Sequence, residues 1–190
     1  MERNAGFVIR PAVLADAESI LEIYGYYILN TAVTFEYEIP SPDEFRARMR
    51  KTMERYPYLV IEKGGIILGY AYARALIERP ACDWACETTV YLDHTACKGG
   101  LGRAIYDALE DALREMGIIN LYASIACPEI EDEYLTRNSA DFHAHMGFHE
   151  VGRFRNCGCK FGRWYHLIWV EKIIGEHMPD PKPIRPYNHL

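Results

Sequence analysis

A β-rich run ending in Glu87-Thr-Thr-Val-Tyr-Leu92 passes through Lys98-Gly-Gly-Leu-Gly-Arg103 straight into an amphipathic stretch. No other feature constrains the fold as much. Ile105, Leu109, Ala112, Leu113 and Met116 recur at helical spacing, so Asp107, Glu110, Asp111 and Arg114 are expected mostly on the solvent side. Glycines at 99, 100 and 102 allow left-handed turns and close backbone approach. The unpaired N–H groups of the helix start, aided by the helix dipole, suit phosphate oxygens. Two better-known phosphate loops are excluded. No Gly-Lys-Ser/Thr follows, and Ile105 stands where a dinucleotide fold needs a third small residue. Asn120 likewise replaces an acidic ribose partner. For the glycines alone, an ordinary strand-to-helix turn is the alternative.

The remaining pattern is mixed α/β. Residues 7–10 read as a first strand, and 16–29 as a helix with Ile20, Ile23, Tyr24 and Tyr27 inward. Ser41-Pro42-Asp43-Glu44 is a helix start in which serine caps, proline takes the first turn and Glu44 reaches back to the cap amide. Residues 58–63 and 66–73 flank Gly64-Gly65 as a hairpin. The strand before the glycine loop and residues 120–126 after its helix form a β-helix-β unit, hence a parallel pair. A short helix at 139–146 and strands at 150–156 and 164–171 complete one domain, 1–174. Four prolines between Pro179 and Pro186 make 175–190 an extended, peripheral tail.

Several ordered motifs carry a wider likeness. Glu87-x-x-Val90-Tyr91-Leu92 and Lys98-x-Gly100-Leu101-Gly102 are joined by Thr31-Ala-Val-Thr-Phe-Glu36, Gly69-Tyr-Ala-Tyr-Ala73 and Asp83-Trp84. Ser139-x-x-Phe142-His143-x-x-x-Gly147-Phe148 and Lys160-Phe-Gly-Arg-Trp164 follow. Over residues 9–171 the chain resembles the GNAT N-acetyltransferases, and more narrowly their phosphinothricin/methionine sulfone branch. The resemblance implies a mostly antiparallel sheet, flanked by helices, with a central parallel strand pair that splays apart. It implies acetyl-CoA as acetyl donor, its pyrophosphate on Lys98, Gly99, Gly100, Leu101, Gly102 and Arg103. The pantetheine arm would lie along Val90, Tyr91 and Leu92, with an N–H near Val90 facing the developing oxyanion. Asn138 is a further candidate contact, displaced from position 136 where the family's asparagine falls. Cys97 stands where glutamine or arginine commonly starts the loop, Cys82 replaces a tyrosine and His166 an aspartate.

Acetyl transfer to an amine needs a neutral nitrogen, a positioned carbonyl and release of a thiolate. Strand alternation puts Glu87, Thr89 and Tyr91 on one face and Thr88, Val90 and Leu92 on the other. Glu87 is therefore the candidate general base, with a solvated strand-end carboxylate as the alternative. The branch carries histidine where other members have a proton-donating tyrosine, which makes His143 the candidate donor; a structural histidine is the alternative. Phe35, Glu36, Tyr72, Arg74, Arg79 and Trp84 are the acceptor candidates, because arginine clamps a carboxylate or phosphinate and rings shape a small pocket. A small amino-acid-like amine is the expected acceptor. A peptide or protein amine, or a catalytically silent acetyl-CoA-binding module, are the alternatives.

Composition narrows the partners. A net charge of −6 argues against nucleic acid and anionic membranes, and no apolar run spans a bilayer or reads as a signal peptide. A cytoplasmic protein with six free thiols is the expectation. Cys157-Gly-Cys159 and His143-x-His145 do not form a familiar metal site, so no metal is expected. The resemblance also implies a homodimer, with Trp164–Trp169 as its candidate surface; a core position for those residues is the alternative.

Overall fold

Alternating and helical apolar patterns resolve into seven strands and four helices in the computed structural model, which describes residues 6–96 and 99–189. In chain order these are β1 (Val8–Pro11), α1 (Ala17–Asn30), α2 (Pro42–Met53), β2 (Tyr58–Lys63), β3 (Ile66–Ala75) and β4 (Ala85–Leu92). Then come α3 (Leu101–Met116), β5 (Asn120–Cys127), α4 (Asn138–His145), β6 (His149–Lys160) and β7 (Arg163–Ile173). The described strands form one sheet in the order β1-β2-β3-β4-β5-β7-β6. Every neighbouring pair is antiparallel except β4–β5, as a helical crossover between sequential strands requires.

The two sheet faces are covered differently. On one, α3 lays Ile105, Leu109, Leu113 and Met116 on Ala71, Ala73, Cys86, Leu121 and Ile125. Each such fully buried apolar side chain contributes on the order of 1.5–3 kcal/mol. On the other, α1 and α2 bring Ile20, Ile23, Phe45 and Met49 against Tyr58, Val60 and Tyr70. Tyr24 and Tyr27 are only half-buried there, and Ile28 takes the deeper position.

Three expectations are corrected. Glu110 is buried rather than outward, because Arg114 and Lys172 both reach its carboxylate at 2.6 Å. The start of α2 is half of the expected cap: Ser41 Oγ accepts from the Glu44 N–H at 3.2 Å, but the Glu44 carboxylate pairs with Arg48. The tail is extended yet docked rather than peripheral. Ile184 and Tyr187 pack on the main core, the Arg185 N–H donates to Met116 O, and Tyr187 N–H donates to Arg55 O. No helix among the described residues is long and apolar enough to cross a membrane.

Candidate active site

Pairing between β4 and β5 runs Ala85↔Asn120, Cys86↔Leu121, Glu87↔Tyr122 and then stops. Both strands continue, β4 on β3 to Leu92 and β5 on β7 to Cys127, so a gap opens immediately after Glu87. A side chain sits at its apex. Thr88 Oγ1 donates to Tyr122 O at 3.0 Å, taking the carbonyl at which the parallel ladder ends. With that proton spent, the Tyr106 hydroxyl 2.5 Å away is the donor to Thr88.

The open edge of β4 has a definite polarity. The Asp93 N–H bonds back to Leu68 O on the β3 side, whereas Trp84 O accepts from Ile119 and Asn120 on the β5 side. Alternation along the strand therefore turns the backbone N–H and C=O groups of Val90 and Leu92 into the gap, and those of Tyr91 toward β3. The Tyr27 hydroxyl bonds to the Leu92 carbonyl at 2.7 Å.

Beyond the gap lies the glycine loop. Gly99 and Gly100 have φ of 93° and 80°, a left-handed backbone that glycine adopts without strain. A Cβ on either would meet nothing within 4 Å, so the loop surface is open. Gly100 caps α3 without a side-chain hydrogen bond, and the first helical bond is Ala104 N–H to Gly100 O. The N–H groups of Leu101, Gly102 and Arg103 are thus the orphan donors of the helix start. Gly102 is tight: a Cβ there would lie 3.3 Å from Phe142 of α4. Arg103 projects from the first turn and bonds to His145 O at 3.3 Å. Lys98 and Cys97 lie outside the described residues.

Glu87 faces a cleft of about 1270 Å³ that reaches from the gap to the α2 side of the sheet. Phe35, Glu36, Tyr72, Arg74 and Arg79 line it, as do Ser139 and His143. Two candidates lie elsewhere. Trp84 is not a cleft residue: its Nε1–H donates to Lys182 O at 2.8 Å and anchors the tail. Asn138 is exposed at the start of α4, off the cleft wall, where Ser139 and His143 of the same helix stand. Arg74 is present but engaged. Its Nε and Nη2 both reach Glu87 Oε2, at 3.0 and 2.9 Å.

His143 is 4% exposed, held edge-on to Tyr106, Phe142 and Phe148. Its Nδ1 lies 2.7 Å from Ser139 O, which can only accept, so Nδ1 carries the proton. Burial pushes the imidazole pKa down and favours the neutral ring. Nε2 is then a bare acceptor, buried and unpartnered among the described residues. That is the reverse of the proton donor that the resemblance implies.

Sequence reasoning missed much of the acceptor wall. Tyr58, Tyr70 and Tyr72 stack in parallel across β2 and β3, Tyr91 joins them from β4, and Tyr24 closes on Tyr91. Burial raises the Tyr58, Tyr70 and Tyr91 hydroxyls well above the ordinary phenol range, so all three stay protonated. Arg48 pairs with Glu36 and Glu44 on the rim. The period-two spacing of Tyr70 and Tyr72 was readable, but their partners on β2 and β4 were not.

Comparison with known proteins fits this geometry. The family model for the acetyltransferase (GNAT) domain matches residues 9–169. The chain belongs to the GNAT acetyltransferases. It is 31% identical to a phosphinothricin N-acetyltransferase of Streptomyces viridochromogenes, covering 96% of this chain and 95% of that protein. It is also 31% identical to the L-methionine sulfoximine/L-methionine sulfone acetyltransferase of Salmonella typhimurium, covering 90% of this chain and 98% of that protein. A phosphinothricin acetyltransferase of Sinorhizobium meliloti, solved in complex with AcCoA, superposes with a TM-score of 0.83 at 29% identity over 96% of this chain and 98% of that one.

One departure from the GNAT branch pattern now has a local explanation. His166 is buried on β7, and its Nδ1 accepts from the Asn156 N–H at 3.0 Å. Asn156 lies in the β6 irregularity between Phe154 and Gly158 with φ of 47°. The imidazole thereby supplies a hydrogen-bond acceptor to the bulge.

Proposed function

We propose that this chain transfers the acetyl group of acetyl-CoA to the primary amine of a small amino-acid-like acceptor of the phosphinothricin or methionine sulfone/sulfoximine type. The observation that carries the reading is Glu87 standing at the mouth of the β4–β5 gap, with open backbone donors on one side and a charged, aromatic cleft on the other.

The residues present suit the donor. The orphan N–H groups of Leu101, Gly102 and Arg103 receive the pyrophosphate, and the open backbone edge at Val90, with the Leu92 N–H, pairs with the pantetheine amides. Bound acetyl-CoA supplies an activated thioester carbonyl, and the Val90 N–H turns toward the gap where that oxygen would lie. Glu87 takes one proton from the acceptor ammonium and passes it to solvent, leaving a lone pair for attack. The nitrogen loses its second proton as the amide forms and the thioester C–S bond breaks, and that proton neutralises the departing CoA thiolate. His143, neutral with Nε2 unpaired among the described residues, belongs to the wall of the same cleft as Glu87. Arg79 faces the cleft with no carboxylate partner among the described residues and receives the phosphinate or sulfone at the far end of the acceptor.

A second copy of the chain is proposed at β6. This twelve-residue edge strand is exposed for most of its length and presents Val151 and Phe154 beside Trp164 of β7. Trp164→Glu is expected to lower the mass measured by analytical ultracentrifugation to that of one chain.

An acetyl-CoA-dependent thiol-release screen over amino acids, their sulfone and phosphinate analogues, polyamines and peptides tests the main reading. Methionine sulfone or phosphinothricin are expected to exceed lysine-rich peptides in kcat/KM. Peptide acetylation with no turnover of small acceptors would move the assignment to a protein acetyltransferase. Tight acetyl-CoA binding with no acceptor at all would leave a silent binding module.

A further inference from the structure

We propose that Arg74 determines specificity by exchanging Glu87 for the acceptor's carboxylate, so that the site selects α-amino acids over their amides and over simple amines. The inference rests on the acetyl-transfer reading above and names a discriminating residue within it.

Arg74 and Glu87 are directly opposed across β3 and β4, on the face that carries Tyr70, Tyr72, Thr89 and Tyr91. They differ sharply in burial. The Glu87 side chain is 11% exposed, whereas that of Arg74 is 58% exposed and borders the cleft. A buried carboxylate stripped of its partner is costly, so Arg74 leaves only when another cation arrives. The acceptor's ammonium is that cation, and general-base action by Glu87 requires the two to meet.

An amine without an anion would then crowd a second positive charge against Arg74. Other carboxylates nearby offer no relief: Arg48 holds Glu36 and Glu44, Arg55 holds Asp83, and Lys51 holds Glu78. An α-amino acid brings both charges, one carbon apart, to two residues that already touch. Its ammonium replaces Arg74 on Glu87, and its carboxylate takes the released guanidinium fork. Two ion pairs replace one, and no charge is stranded.

The test compares methionine sulfone with its carboxamide, which keeps the amine and side chain but loses the negative charge. In the unaltered protein, kcat/KM is expected to favour the free acid by on the order of 100-fold. Arg74→Ala should shrink that ratio at least tenfold, and Arg74→Lys, which keeps the charge without the fork, should fall between. The ratio cancels any common loss of turnover from disturbing Glu87. If Arg74→Ala turns over neither compound, calorimetric affinities of the two in the presence of CoA supply the same ratio. An acid-to-amide ratio unchanged in Arg74→Ala, or one abolished by Arg79→Ala and untouched by Arg74→Ala, overturns the inference while leaving acetyl transfer intact. Failure of the unaltered protein to acetylate either compound overturns the acceptor reading itself.

Discussion

The two sides of Glu87 are built by different means. On the donor side, a gap, an open strand edge and a glycine loop come from one nearly continuous stretch, residues 85–103, with α3 behind it. On the acceptor side, each important contact joins distant segments. Arg74 meets Glu87 across two strands, Lys160 reaches Thr34 O at 2.8 Å, and Phe35 rests on Gly158. A backbone site depends on conformation that few residues can fix. A side-chain site depends on charges and shapes assembled from the whole fold, and it is freer to differ among relatives of one backbone. The comparison predicts that changes on the donor side damage use of acetyl-CoA, that changes on the acceptor side alter KM for the amine, and that Glu87 alone affects chemistry.

The largest effect belongs to Glu87. Glu87→Gln should lower kcat on the order of 10²–10³-fold while leaving acetyl-CoA affinity within about twofold, as expected for loss of a general base. Turnover should recover partly at alkaline pH, where the free amine needs no base. An equal loss of acetyl-CoA affinity would erase the division between the two sides. Next comes Gly102→Val, whose side chain would enter the space of Phe142, 3.3 Å from the first added carbon. Displacing the loop from α4 should raise KM for acetyl-CoA by roughly tenfold or more, since a packed contact does not absorb extra carbon atoms freely. Acceptor KM should barely change.

The same division explains what could be read from sequence. The hairpin at Gly64-Gly65, the amphipathic α3 and the parallel pair rest on local spacing, and they appear where the pattern puts them. Glu87 and the glycine loop were legible for the same reason. Glu110 was not, because its burial depends on Lys172, 62 positions away. Trp84 looked like an acceptor ring because nothing in its neighbourhood announces a hydrogen bond to Lys182. Arg74 was legible as an acceptor candidate, but its pairing with Glu87 was not, because cross-strand register decides its partner and register follows from the assembled sheet. Thr88 lay in plain view within the Glu-x-x-Val-Tyr motif. Its role as the cap of the parallel ladder required knowing where that ladder ends.

Lys160 sharpens the acceptor half. It is 3% exposed, donates to Thr34 O and lies over the Phe161 ring at 5.3 Å. Burial lowers its pKa, with Glu36 opposing the shift. The Tyr37 hydroxyl also bonds to Cys159 O, so the segment carrying Phe35 and Glu36 is fastened to the β6–β7 hairpin at three points. Lys160→Met keeps much of the apolar stem but leaves the Thr34 carbonyl without this donor. KM for the amine should rise about fivefold to tenfold, the scale of one lost buried hydrogen bond, with KM for acetyl-CoA unchanged. A rise in both would mean that the hairpin supports the whole cleft rather than its acceptor wall.

The smallest effect tests His143, where the two sides meet. Its folded-state pKa is depressed by burial, so the folded chain binds this proton less readily than the unfolded chain. The sign follows. Its stabilising contribution is complete above the ordinary imidazole value of about 6.5 and declines as pH falls from there through the folded value. His143→Phe removes the titration while retaining a ring against Tyr106, Phe142 and Phe148, at the expense of the bond to Ser139 O. Melting curves between pH 7.5 and 5.0 should therefore show a lower Tm for the variant at the alkaline end and a shallower fall toward the acid end. Other titrating groups are common to both proteins and cancel in the difference of slopes. Parallel slopes would show that the ring protonates without cost, and with that the neutral His143 in the cleft wall would have to be abandoned.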